Sequence, residues 1–229
     1  MRISNHKLII GYCFISMILA TGCTKSFLEK SPLGPSSQQT LATAAGVNGL
    51  LIGAYSALDG WGGPAFTTKA WAGAVSNWIY GGVASDDAHK GSTDNDQSGI
   101  ARIENFTVDP TSEFINGKWG SLYLGAQRAN DVINVMALVT DGSMSESVKK
   151  EIKAEAVFLR AFFHFQAAKM WRNVPYVDET ITYSNKNYYV DNMVSIWPKI
   201  EADFQYAIDN LNATQPEAGR VNSWAAKAF

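Results

Sequence analysis

The chain has 229 residues, a net charge of −2 and a hydrophobic share of 46%. That length supports one substantial domain. The slightly acidic balance argues against nucleic acid and against electrostatic attachment to anionic lipid, since both use basic patches.

Arg2 and Lys7 open the sequence, Leu8 to Ala20 form an apolar run, and Gly22-Cys23 follow at once. The run is too short for a membrane span and ends in small residues, so residues 1–22 read as a secretory signal peptide. Cys23 after Leu19-Ala20-Thr21-Gly22 resembles the lipobox of bacterial lipoproteins, in which the Cys becomes the lipidated first residue; here the Leu stands one place further out than usual. Cys13 leaves with the signal, so no thiol remains for a disulfide, a zinc site or cysteine catalysis. Losing Arg2 and Lys7 moves the net charge from −2 to −4.

Residues 23–39 carry Ser, Pro and Lys with little to bury, and read as a tether. The folded part is expected over 40–229. Thr40 is the expected N-cap of a helix reaching about Leu58, with Val47, Leu51 and Ala54 at helical spacing. Gly46, Gly49 and Gly53 share a face of it and suggest a closely passing backbone. A Gly-rich loop begins at Asp59, and a second helix is expected from about Thr68 to Ile79, ending before Gly81-Gly82. Residues 84–100 read as an exposed polar loop, and Arg102 to Val108 as a short extended piece.

Glu113 to Val139 forms the next expected helix, with Trp119, Leu122, Tyr123, Ala126, Ala129, Ile133 and Met136 in a 3.6-residue period. Ser145 is the expected cap of a partner that turns back antiparallel. That partner, at 151–171, is apolar on nearly every side from Ala154 onward, so it must be buried among other helices. Asp191 is the expected cap of a helix over Met193–Leu211, and Val221 opens another. The fold class is therefore all-α, in antiparallel helix pairs with long irregular loops.

Several segments together resemble the SusD/RagB family of outer-membrane lipoproteins. They are Cys23 with Phe27-Leu28-Glu29 and Pro32, Tyr55 with Leu58, Ser85-Asp86-Asp87-Ala88, Trp119 with Tyr123, and Arg128-Ala129-Asn130. The most specific is Ala154-Glu155-Ala156 with Phe158-Leu159-Arg160-Ala161-Phe162, followed by Trp171 and Val174-Pro175. Where the family has a Gly before Val174-Pro175, this chain has Arg172-Asn173, and an Asn tolerates the left-handed backbone. The resemblance implies degenerate tetratricopeptide-like helix pairs, a lipid anchor in the outer membrane through Cys23, and a TonB-dependent, SusC-like transporter as partner. Family members are longer, and the segment from Val221 to Phe229 reads as a helix only begun, so the sequence is expected to be a fragment. Within the family the ligand is expected to be an oligosaccharide; a peptide-binding member and a helical envelope scaffold without a small ligand are the alternatives.

No catalytic constellation, metal site or cofactor is expected. Asp86 and Asp87, with Asp94 and Asp96 nearby, form the best carboxylate cluster. Paired acid–base work would need one carboxyl in an apolar setting, and a calcium loop would need more oxygen ligands than Asp94-Asn95-Asp96 supplies. Capping or a solvated loop is the simpler reading. His164 lies in the apolar helix without ligand partners and reads as a satisfied core histidine. Aromatic rings near Gly-rich loops are more informative: Trp61, Phe66, Trp78 and Tyr80 can stack on sugar faces while Asp86, Asp87, His89 and Asn95 meet hydroxyls. Simple loop packing is the competing reading of Trp61. The resemblance points to the same loops, because glycan-binding members draw their sites from around the acidic motif.

Overall fold

The structure is a computed structural model that describes residues 38–60, 77–93, 95–182 and 186–229. Cys23, Trp61, Phe66, Asp94 and nearly all of the helix expected from Thr68 lie outside the described residues, as do the signal and tether segments.

The described elements are helical throughout. A short turn α1 (Gln38–Leu41) leads into α2 (Ala44–Ser56), which ends in a 3-10 turn, Ala57–Asp59. A π turn, Ile79–Val83, precedes α3 (Ser98–Glu104). Then come α4 (Glu113–Met136), α5 (Glu146–Trp171), α6 (Trp197–Asn210) and α7 (Ser223–Lys227). Among the described residues there is no strand.

The α4–α5 hairpin is the centre of the fold. Trp119 packs on Trp171, Gly125 faces Phe163, and Asn130 meets Arg160, so positions rise on one helix as they fall on the other. Ser145 caps α5 as expected, its Oγ accepting the Val148 N–H at 3.3 Å. From Ala154 to His164 every α5 residue is buried, as its apolar circumference requires. On the other side α6 runs antiparallel to α5, with Phe158 against Phe204 and Phe165 against Trp197. Helix α2 covers α4, and α7 packs on α6. A smaller core joins Ile79, Val83, Ile100, Ile103 and Phe114, with Tyr80, Ala84 and Ile115 packed against it.

Several local expectations are corrected. Thr43, not Thr40, caps α2, because its hydroxyl accepts the Gly46 N–H at 3.1 Å while Thr40 lies within α1. Of the three glycines, only Gly46 faces close backbone: a Cβ there would stand 2.2 Å from the Leu41 carbonyl oxygen, whereas Gly49 and Gly53 face open space. Gly81 and Gly82 continue the π turn rather than stopping a helix. The piece expected to be extended from Arg102 overlaps the helix Ser98–Glu104, because Ile100 and Ile103 are drawn onto Phe114 and Ile79. Helix α6 starts at Trp197, four residues late. Asp191 Oδ1 accepts the Met193 N–H in a turn, and Pro198 suits a first helical turn, where no donor is needed. At the end of α5 the positive φ belongs to Arg172 (62°), not to Asn173.

Candidate functional site

Of the described residues singled out by sequence, Trp78 and Tyr80 stand at the π turn, and Asp86, Asp87, His89 and Asn95 follow on the loop after it. Trp78 begins that turn and is 41% exposed. Gly82 lies between Trp78 and Ala88: a Cβ there would stand 4.0 Å from the Trp78 ring and 3.6 Å from the Ala88 side chain. Asp86, Asp87, His89 and Asn95 are all exposed on that loop. Asp87 Oδ2 accepts from Ser85 Oγ at 3.0 Å, and Asp86 takes a positive φ of 66°. Its backbone therefore turns sharply between two exposed carboxylates.

Tyr80 is placed differently. Its hydroxyl donates to the Phe114 carbonyl at 2.6 Å, and Lys118 Nζ stands 5.3 Å from its ring centre. Burial pushes the phenol well above its ordinary value. Tyr80 thus anchors the π turn to the start of α4.

The loop itself is ordered by two groups that sequence reasoning passed over. Lys90 is buried, and its ammonium donates to Ser92 Oγ at 3.2 Å, to the Asp96 carbonyl at 2.6 Å and to the Thr93 carbonyl. Glu104 on α3 holds His89 Nδ1 at 2.6 Å and accepts the Lys90 N–H at 3.4 Å. The hydrogen bond with Glu104, then the charge of that carboxylate, raises the His89 imidazole above its ordinary value. A charged lysine inside a polar loop is the only trace of this arrangement in the sequence, because its partners are mostly backbone carbonyls.

A second concavity, of about 920 Å³, lies along α4. One wall is the helix face bearing Trp119, Tyr123, Gln127, Asp131 and Asn134; the other is the segment after α5, with Pro175, Val177 and Ile181. That segment is pinned from the helices. Tyr123 Oη donates to the Pro175 carbonyl at 2.7 Å, Asn130 Nδ2 to Val177 at 3.0 Å and Asn134 Nδ2 to Glu179 at 3.2 Å. His164 completes the fastening: Nδ1 donates to the Arg160 carbonyl and Nε2 accepts the Val177 N–H, each at 3.0 Å. Those two bonds define the neutral tautomer, and burial pushes the imidazole down to about 4. Trp119 packs against the core and also lines this cleft, half-buried.

Among the described residues, no group of His, Cys, Asp and Glu side chains is arranged to hold a metal ion, and no helix is long and apolar enough to cross a membrane.

Comparison with known proteins places this scaffold. A sequence model of the SusD-like family, described as starch-binding and associating with the outer membrane, matches residues 66–229. A SusD-like protein of Bacteroides ovatus is 34% identical over 131 residues, covering 54% of this chain and 23% of that protein. A laminarin-binding SusD-like protein superposes with a TM-score of 0.65 at 27% identity, over 81% of this chain and 38% of the other. Surface glycan-binding protein A from Bacteroides thetaiotaomicron, solved with laminarihexaose, superposes at 0.59 with 22% identity, over 81% of this chain and 37% of the other. The chain thus spans less than half the length of the relatives it matches. Its tetratricopeptide-like helix pairs are those of such proteins, and with most of its length matched by the family's own pattern, the chain belongs to the SusD-like family.

Proposed function

We propose that the protein captures an oligosaccharide at the cell surface and hands it to a TonB-dependent, SusC-like outer-membrane transporter, held to the membrane by lipid on Cys23. No bond is made or broken in this work; the protein binds and releases. The observation that carries the reading is the exposed Trp78 at the root of a loop bearing Asp86, Asp87, His89 and Asn95. An indole face covers the apolar face of a sugar, and carboxylate, amide and imidazole groups beside it meet hydroxyls. Trp61 and Phe66 belong to the same proposed site by their neighbourhood in sequence. The family's description and the glycan-binding relatives support the ligand class.

The test is calorimetric titration of the full-length lipoprotein with maltohexaose and laminarihexaose, for wild type and Trp78→Ala. Binding that weakens at least tenfold in the variant is expected. Uniform failure of oligosaccharides to bind, or an unchanged Trp78→Ala affinity, would sink the reading of this site. For the anchor, Cys23→Ala should leave the outer-membrane fraction; full retention there would end the lipidation proposal.

A further inference from the structure

The cleft along α4 has a chemistry of its own, distinct from the loop at Trp78. Its volume of about 920 Å³ lies at the upper end of small-molecule sites and is too large for a single sugar ring. From Trp119 to Asn134 its helical wall runs for about 22 Å, which suits a chain of several units. Along that wall the residue types change in order. Trp119 and Tyr123 form a ring pair with centres 4.6 Å apart, then come Gln127 and Asp131, then Asn134.

The polar groups are positioned before any ligand arrives. Gln127 Nε2 donates to Asp131 Oδ1 at 2.9 Å, which orients both side chains. Asp131 has no ion-pair partner among the described residues, and burial raises its carboxyl above the ordinary range. Asn134 Nδ2 is held by the Glu179 carbonyl, leaving Oδ1 for a donor. Among the described residues that line the cleft there is no Lys, Arg or His. An anionic ligand would therefore meet an uncompensated carboxylate and nothing to neutralise it. The helical wall also has its backbone satisfied within α4, so an extended peptide would find no strand edge there. Neutral hydroxyls, by contrast, can donate to Asp131 and Asn134 while ring faces cover Trp119 and Tyr123.

We propose that this cleft is a second ligand site and that it takes a neutral oligosaccharide, bound along α4 from Trp119 to Asn134. It shares with the loop reading only the ligand class, and occupancy of one does not require the other.

Hydrogen–deuterium exchange of the full-length protein, with and without saturating maltohexaose or laminarihexaose, separates the two sites. Slower exchange in Pro175–Thr182 is expected, together with any protection at 77–97. Trp78→Ala should leave the Pro175–Thr182 protection in place, whereas Ala137→Trp, which plugs the cleft from the exposed position that caps the end of α4, should abolish it. Asp131→Asn keeps the shape and removes a charged acceptor, and should weaken binding here about tenfold. Protection at 175–182 without any at 77–97 would end the loop reading and uphold this one. Protection confined to 77–97 or absent altogether, protection lost with Trp78→Ala, or protection kept in Ala137→Trp overturns the cleft proposal. So does equal protection by an oligogalacturonate or by a neutral hexapeptide.

Discussion

Arg160 on α5 grips Asp203 on α6 with both ends of its fork: Nε reaches Oδ2 at 2.8 Å and Nη2 reaches Oδ1 at 2.7 Å. The remaining Nη1 turns to Asn130 on α4 at 3.3 Å and to Glu179 in the segment lining the cleft. Tyr176 adds its hydroxyl to Asp203 at 2.6 Å. One guanidinium thus ties three helices to the wall of the cleft, in a site where both charges are nearly shut off from water.

Removing one member of that pair leaves the other buried and uncompensated. Arg160→Met is expected to lower stability by about 3–5 kcal/mol, measured by urea denaturation. Changing Asp203→Leu in the same chain should recover part of the loss, since neither charge is then stranded. A double variant as unstable as the sum of the singles would contradict this coupling.

His164 makes stability depend on pH with a defined sign. Unfolded, its imidazole takes a proton near 6.5; folded, it resists down to about 4, because burial opposes the charge and Val177 donates to its Nε2. The contribution is whole above pH 6.5 and is lost as pH falls toward 4, to a total of about 3 kcal/mol. His164→Leu should be less stable than wild type at pH 7, by about 1–3 kcal/mol, for want of an acceptor for the Val177 N–H. The variant should also lose this slope between pH 6.5 and 4. Parallel pH profiles for the two proteins would contradict the assignment.

Two glycines in long helices should answer oppositely to alanine. In α4, a Cβ on Gly125 would fall 2.4 Å from the buried Phe163 ring, so Gly125→Ala should destabilise by about 1–3 kcal/mol. In α2, Gly53 faces open space, and Gly53→Ala should stabilise by about 0.5–1 kcal/mol through helix propensity. Thermal unfolding midpoints of the two variants should move in opposite directions.

Arg172 ends α5 with φ 62° and ψ −94°, a strained conformation for a side chain with a Cβ. Arg172→Gly should therefore raise stability, by about 1 kcal/mol. Asn173→Gly should lower it, because Asn173 Nδ2 bridges to the Met193 carbonyl at 3.1 Å. The reverse order in denaturant midpoints would place the strain at the wrong residue.

Much of the scaffold was legible because it is written in local spacing. The α4 period, the all-round apolar surface of α5, the Ser145 cap and the core role of His164 depend on residues within a few turns of each other, and each emerges as expected. Family membership was legible too, carried by the Ala154–Phe162 stretch and its neighbours in order. Boundaries were not. Ser98–Glu104 is a helix because Ile100 and Ile103 are pulled onto Phe114, and α6 starts late because Asp191 serves a turn instead of a helix.

For the two proposed ligand surfaces, residue types could be read from the chain, while their neighbours came from packing. Trp78 beside a polar loop could be named from the chain, but Tyr80, two positions on, is turned inward to the Phe114 carbonyl. Lys90 is held by carbonyls that every residue carries, so no side-chain pattern announces its role. The cleft needs the outer face of α4 to meet a segment some fifty positions later, as Tyr123 meets Pro175. Periodicity records what one helix offers; the packing of α4 against α5, and the loop that packing brings back, decide what each residue faces.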